Sequence, residues 1–245
     1  MSTSMGIFPA RFRALRGLSV AMLFGGVLAA CSYTGGGIEK PFAQKFTWFS
    51  FLNGDDIRAA CAAGGLDRYR LVYNGRYDEQ VRSYDIAADA RGGGLLTTKV
   101  RGSQSLTEIS SSNPLGPWAW QESQVDLTAA QLAKLESALL DDGFYAPAPT
   151  GLRLNSRNFY WTGVGCRDGQ VYFHAWVYPD AAFTGLSFPA LLAASDQSGR
   201  PVNQPRPLPV EARRQGPDRR GGTAPDNNFD LTVGRNGLAG VWTLF

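Results

Sequence analysis

A single histidine, His174, stands in this chain, and that count narrows the chemistry at once. A zinc site built from several imidazoles is excluded, and Cys31, Cys61 and Cys166 are too scattered to form a ligand cluster in its place. One imidazole can still act as a general base. His174, however, sits between Tyr172 and Trp176 in an aromatic alternation, and the chain has no Gly-x-Ser-x-Gly elbow. It reads as an aromatic-face residue with a satisfied hydrogen bond. Paired carboxylates occur at Asp55-Asp56 and Asp141-Asp142. Hydrolysis of a glycosidic bond needs two carboxyls about 5–10 Å apart, yet both pairs fall at predicted helix ends, where the first complements an N-terminal dipole and the second is a solvated end. Gly92-Gly93-Gly94 lacks the Lys and Ser/Thr of a phosphate loop and reads as a turn. The expectation is no catalytic residue, no metal and no cofactor; the chain is not read as an enzyme.

The aromatic alternation is better read as a surface. Asp168-Gly169 is a two-residue hairpin turn. Folding Phe159 to Tyr178 about it sets Cys166 opposite Val171, Val164 opposite Phe173, Thr162 opposite Ala175 and Tyr160 opposite Val177. That apolar set faces a core. The other face carries Phe159, Trp161, Tyr172, His174, Trp176 and Tyr178, with flat gaps at Gly163 and Gly165. Such a face can stack sugar rings or grip a partner. Alternatively a helix such as Thr128 to Leu140, or the C-terminal segment, covers it, and this covered arrangement is the preferred one.

These residues need elements to hold them. Asn53 or Asp55 caps a short helix ending at Gly64, with Ile57, Ala60 and Cys61 on its apolar face. A second hairpin runs from Asp67 to Ile86 about Asn74-Gly75, which sets Arg70 opposite Glu79 and Asp67 opposite Arg82. A strand follows at Leu95 to Arg101, and turn residues dominate Ser103 to Trp120. Asp126-Leu127-Thr128 opens a helix with Leu132, Leu135, Leu139 and Leu140 on one face and Gly143 at its end. A shorter helix falls within Phe183 to Ala194, delayed by Pro189. The predicted fold is α+β: an antiparallel sheet of hairpins under one or two helices, in one domain over residues 46–197. A Pro/Arg-rich linker, extended or disordered, covers 198–226, including the Arg pairs at 213–214 and 219–220. Strand character returns over 227–245 around Gly234-Arg235-Asn236-Gly237.

The first thirty residues have a different character. Arg11, Arg13 and Arg16 precede an apolar run from Leu18 to Ala30, too short for the roughly 20 residues a spanning helix needs. The run closes on Leu28-Ala29-Ala30-Cys31 and is followed by Gly35-Gly36-Gly37. This arrangement resembles the lipobox signal of bacterial lipoproteins. The resemblance implies cleavage before Cys31, a diacylglyceryl thioether on its sulfur, usually an N-acyl (palmitate-type) chain, and membrane attachment through two or more chains. Ser32 follows the cysteine where an Asp would imply retention at the inner membrane, so the implied location is the outer membrane, facing the periplasm. Residues 31–45 are then the lipidated cysteine and a flexible tether.

Assigning Cys31 to lipid leaves Cys61 and Cys166 as an even pair in an oxidising compartment, both on core-facing positions, and predicts a disulfide. Removing the three signal arginines leaves 21 basic and 21 acidic residues. No basic surplus remains to neutralise phosphates, so nucleic acid is not an expected partner. The resulting expectation is a non-enzymatic lipoprotein that binds an envelope protein or glycan, or supports an envelope assembly. Two alternatives stand beside it: an envelope hydrolase or sugar-modifying enzyme with carboxylates near the aromatic face, and an inhibitor or chaperone-like module for an envelope enzyme.

Overall fold

Asp168 and Gly169 both adopt positive φ, 51° and 73°, the geometry that a two-residue turn matching strand twist requires. The flanking strands, β6 (Phe159–Arg167) and β7 (Gln170–Val177), pair in the register read from the sequence, with Cys166 opposite Val171 and Gly163 opposite His174. This hairpin forms one side of the sheet in the computed structural model, which describes residues 32–102, 120–208 and 229–243. Cys31, the expected lipidation site, and the Arg pairs at 213–214 and 219–220 lie outside the described residues.

Four further strands complete the sheet: β1 (Arg68–Gly75), β2 (Val81–Ala88), β3 (Gly94–Arg101) and β4 (Trp120–Leu127). The order is β4-β3-β2-β1-β6-β7, antiparallel throughout. A smaller sheet joins β5 (Arg153–Asn155), β8 (Phe229–Gly234) and β9 (Gly237–Thr243). Helices are α1 (Pro41–Asn53), α2 (Asp55–Ala62), α3 (Ala129–Asp141), α4 (Ala181–Thr184) and α5 (Phe188–Ser195). The fold is α+β, and helices lie on both faces of the large sheet rather than one. Tyr69, Leu71, Trp161 and Trp176 face a core with Leu132 and Leu139 of α3 and Phe188 and Leu192 of α5. Val72, Val164 and Phe173 face another with Phe51 and Leu52 of α1, Ile57 and Cys61 of α2, and Leu231 and Val233 of β8. Alternation along each strand serves two cores at once.

Sequence reasoning on α3 holds at its cap and at three of the four leucines assigned to its apolar face. Thr128 accepts from the Gln131 amide N–H while Gln131 reaches back to the Thr128 N–H, a reciprocal cap. Leu132, Leu135 and Leu139 are buried. Leu140 is not; it is 60% exposed, one step round the helix from the apolar stripe. A disulfide joins Cys61 of α2 to Cys166 of β6, with Cα atoms 5.6 Å apart.

Three expectations need correction. The β1–β2 hairpin does not turn at Asn74-Gly75. Asn74 is buried and its side-chain amide donates to the Ser156 and Asn158 carbonyls, which keeps it in the strand. The chain reverses at 76–79 instead, with Arg76 at φ 63° and ion-paired to Glu79. Arg70 therefore faces Asp85 rather than Glu79, and Arg82 faces Tyr73. The partner of Arg70 moves from 79 to 85, a slip of six residues along β2, and because six is even every side chain keeps its face.

The stretch expected to be a flexible tether over 31–45 is packed onto the fold from near its start, because Tyr33 and Ile38 are buried and α1 starts at Pro41. That helix was missed because Phe46, Trp48, Phe49, Phe51 and Leu52 leave it no clean polar face to read. Gly54 ends α1 with φ 67° and opens α2; a Cβ there would lie 2.4 Å from the Val164 side chain, so glycine is required twice over. Finally, the linker assigned to 198–226 has no helix or strand over 198–208, but this stretch is tied to the large sheet by the bonds described next.

Candidate functional site

The six-residue aromatic face is the starting point, and it is covered. Phe159, Trp161 and Trp176 are buried, while Tyr172, His174 and Tyr178 are half-buried. Gly163 and Gly165 explain how. A Cβ on Gly163 would meet the Phe144 ring at 2.8 Å, and one on Gly165 would meet it at 3.2 Å. The gaps in the face are thus seats for Phe144, delivered by the left-handed turn at Gly143 that ends α3. Trp176 stacks on Phe144 and packs against Phe188, and its indole N–H donates to the Asp142 carbonyl. Tyr172 meets Tyr145 edge-on, and the His174 ring lies 4.6 Å from Trp176. Burial holds the His174 imidazole below its usual range, only partly offset by the Ala175 backbone. An open aromatic surface is not what these residues form.

What remains accessible is a cleft of about 550 Å³ over part of that face, within the size range of small-molecule sites. Its floor is Trp161 with Tyr73 and Tyr84, whose ring centres lie 4.9 and 6.0 Å from the indole. One wall is α4 and α5, presenting Phe183, Ala190 and Ala193; the other is the 198–208 segment, presenting Val202 and Pro205. Tyr178 also lines the cleft. Of the six residues singled out in the sequence, Trp161 and Tyr178 reach it.

The segment forming the second wall is held by Arg82, a fully buried side chain between strand and strap. Its guanidinium pairs with Asp196, donates from Nε to the Gln80 side-chain oxygen, and donates to the Arg200 and Pro201 carbonyls. Around it, Tyr73 donates its hydroxyl to the Asn203 carbonyl at 2.6 Å, Asn203 donates to the Gly75 carbonyl and Glu79, and Arg206 pairs with Glu79. Burial works against the Glu79 charge, but hydrogen bonds from Arg206 and Asn203 and the charge of Arg76 hold the carboxyl below its usual range. Tyr84 donates to Asp196. Burial pushes the phenols of Tyr73 and Tyr84 upward, outweighing the nearby arginines, so the floor of the cleft is neutral.

The carboxylate pairs are employed elsewhere. Asp56 forms a two-pronged pair with Arg70, which also binds Asp85 and lies 3.9 Å over the Phe51 ring. Burial opposes the Arg70 charge, and these two carboxylates more than restore it. Asp55 accepts from Ser50 and Asn53. Asp142 accepts from the Ser187 and Phe188 amides, tying the end of α3 to the start of α5. Among the described residues, no group of three or more His, Cys, Asp or Glu is close enough to hold a metal ion, and no helix is long and apolar enough to cross a membrane.

Sequence reasoning missed Tyr73, Tyr84, Phe183 and the strap. The alternation Tyr69-Leu71-Tyr73 does place Tyr73 on one face with its neighbours, and with the correct hairpin register Tyr84 joins them. Nothing local marks Val202 and Pro205 as a wall. Comparison with known proteins returned no matching family model, curated protein or solved structure.

Proposed function

We propose that this chain is a lipid-anchored lipoprotein of the outer membrane, facing the periplasm, and that it works as a non-enzymatic binding module with the aromatic cleft as its recognition site. The observation that carries the binding role is the state of the cleft's polar atoms. The Tyr73 and Tyr84 hydroxyls that border it already serve Asn203 and Asp196, so what the cleft offers a visitor is a mostly apolar rim on α5 and the strap, with Tyr178, Thr184 and Gln204 as its polar members. Support for the address is the basic, apolar, Leu28-Ala29-Ala30-Cys31 order at the N-terminus, and the Cys61–Cys166 disulfide suits an oxidising compartment.

Two measurements test the reading. Metabolic labelling with palmitate tests the anchor: the wild type incorporates label and Cys31→Ala does not, and an unlabelled wild type refutes it. Photo-crosslinking from position 190 in intact cells tests the site. The expected result is a discrete adduct that disappears on Ala193→Trp, which fills the cleft from its rim; adducts indifferent to that change would move the site elsewhere.

A further inference from the structure

The residues that follow Cys31 are fastened to the fold almost at once. Tyr33, two residues on, is 6% exposed. Its amide N–H donates to the Ser50 hydroxyl of α1, its ring meets Phe51 edge-on at 5.0 Å, and the Arg70 guanidinium lies 5.1 Å from the ring centre. The Tyr33 hydroxyl accepts from the Gly36 amide, which folds this short stretch back on itself. Ile38 is buried, and Glu39 pairs with Lys99 of β3. Two peptide units span at most about 7 Å between Cα atoms. Whatever Cys31 carries is therefore bonded to the chain within one side chain's reach of a fixed point on the fold.

That point lies on a definite side of the large sheet. Tyr33 packs in the core under α1 and α2, on the face that carries Val72 and Val164. The cleft lies on the other face, where Tyr73, Tyr84 and Trp161 meet α4, α5 and the strap. On the Tyr33 side, α1 exposes Phe46, one helical turn before Ser50 on the same flank. Leu95 of β3, which shares a sheet face with Lys99, is also exposed there. The carboxylates nearest Tyr33 are matched, Asp56 and Asp85 by Arg70 and Glu39 by Lys99. This side thus sets apolar side chains and little unpaired negative charge toward whatever it meets, which suits an anionic headgroup surface.

We infer that the α1 side of the fold rests on the lipid headgroup surface, held there by an attachment only two residues long, and that the cleft opens on the side of the sheet turned away from the membrane. This rests on the reading of Cys31 as the lipid-bearing residue and adds the surface that meets the bilayer.

The test uses the lipidated protein purified from membranes and returned to vesicles of phosphatidylethanolamine and phosphatidylglycerol that carry a nitroxide on a fraction of the headgroups. One cysteine is introduced and labelled with a nitrobenzoxadiazole fluorophore: Phe46→Cys or Thr34→Cys on the α1 side, Ala190→Cys on α5. All three positions are exposed, so the variants should melt with the wild type, and two reporters on the α1 side guard against either one misfolding. With Cys61 and Cys166 joined and Cys31 acylated, the introduced thiol is the one that reacts. The expected result is quenching by about twofold or more at 46 and 34 and little at 190, since two helix layers, each about 10 Å deep, and the sheet separate the sites. Inserting about twenty Gly/Ser residues between Ser32 and Tyr33 gives the attachment an r.m.s. reach of roughly 25 Å and should cut the quenching at 46 and 34 by about half or more. Equal quenching on both sides, or quenching on the α1 side that ignores the insertion, overturns the inference while the anchor stands. If the wild type incorporates no palmitate, the anchor reading and the inference fall together.

Discussion

Replacing Arg82 by methionine isolates what the strap contributes. Methionine keeps most of the aliphatic length and removes every charge and donor. The change leaves the Asp196 carboxylate, 5% exposed, as an unpaired buried charge beside the Tyr84 hydroxyl, and it strips a donor from the Arg200 and Pro201 carbonyls. Breaking one half of a buried pair costs about 3–5 kcal/mol. For a folded unit of this size each kcal/mol moves the melting temperature by about 2–4 °C, so the expected fall is roughly 6–20 °C. The second, more local readout is hydrogen exchange. Amides over 198–206 should lose protection before those of β6 and β7, because the strap can leave while the strands stay paired. Arg82→Met combined with Asp196→Leu should recover part of the melting temperature, since no lone charge then remains, but not the protection of the strap. An Arg82→Met protein that melts within about 2 °C of wild type, with strap exchange unchanged, would refute the role given to this side chain.

Cys166→Ala, with Cys61→Ala, opens a loop whose ends are 105 residues apart; chain entropy then predicts a loss of about 4–5 kcal/mol, read as a lower urea midpoint that added reductant does not lower further. Asp142→Ala removes the cap on α5 and should cost about 1–2 kcal/mol, with faster exchange at Ser187 and Phe188; unchanged exchange there would discount the cap. His174 has a lowered proton affinity in the folded state, so its stabilising effect is complete above the unfolded value of about 6.5 and declines as pH falls below it. Unfolding free energy measured from pH 7.5 to 5 should therefore slope downward, and His174→Phe should flatten that slope; a slope that persists in the variant assigns it to other groups.

Much of this molecule is written locally. The β6–β7 register follows from Asp168-Gly169 and a strict alternation, and it is the observed register pair for pair. The α3 cap and terminator follow from Thr128, Gln131 and Gly143 for the same reason: each acts through atoms within four residues of itself. The Cys61–Cys166 link was accessible because both residues fall on core-facing positions of elements that the pattern already defines. Asn74-Gly75 shows the limit. Its turn preference is real, but the Ser156 and Asn158 carbonyls, more than eighty residues away, recruit the Asn74 amide and hold it in a strand.

The cleft belongs wholly to that second kind. Trp161 was legible as an aromatic on one face of a strand; that Phe144 would cover the glycine gaps beside it, while Val202 and Pro205 would stand off and leave a cleft above the buried indole, depends on where three distant segments dock. The strap is the plainest case. By composition, 198–208 buries too little apolar area to fold alone, and it is held instead by the buried guanidinium of Arg82 on β2. Periodicity reports how a segment meets its immediate neighbours. It carries no information about a lone arginine whose partners lie more than a hundred residues along the chain, and so the β6–β7 hairpin and the disulfide could be read from the sequence while the cleft could not.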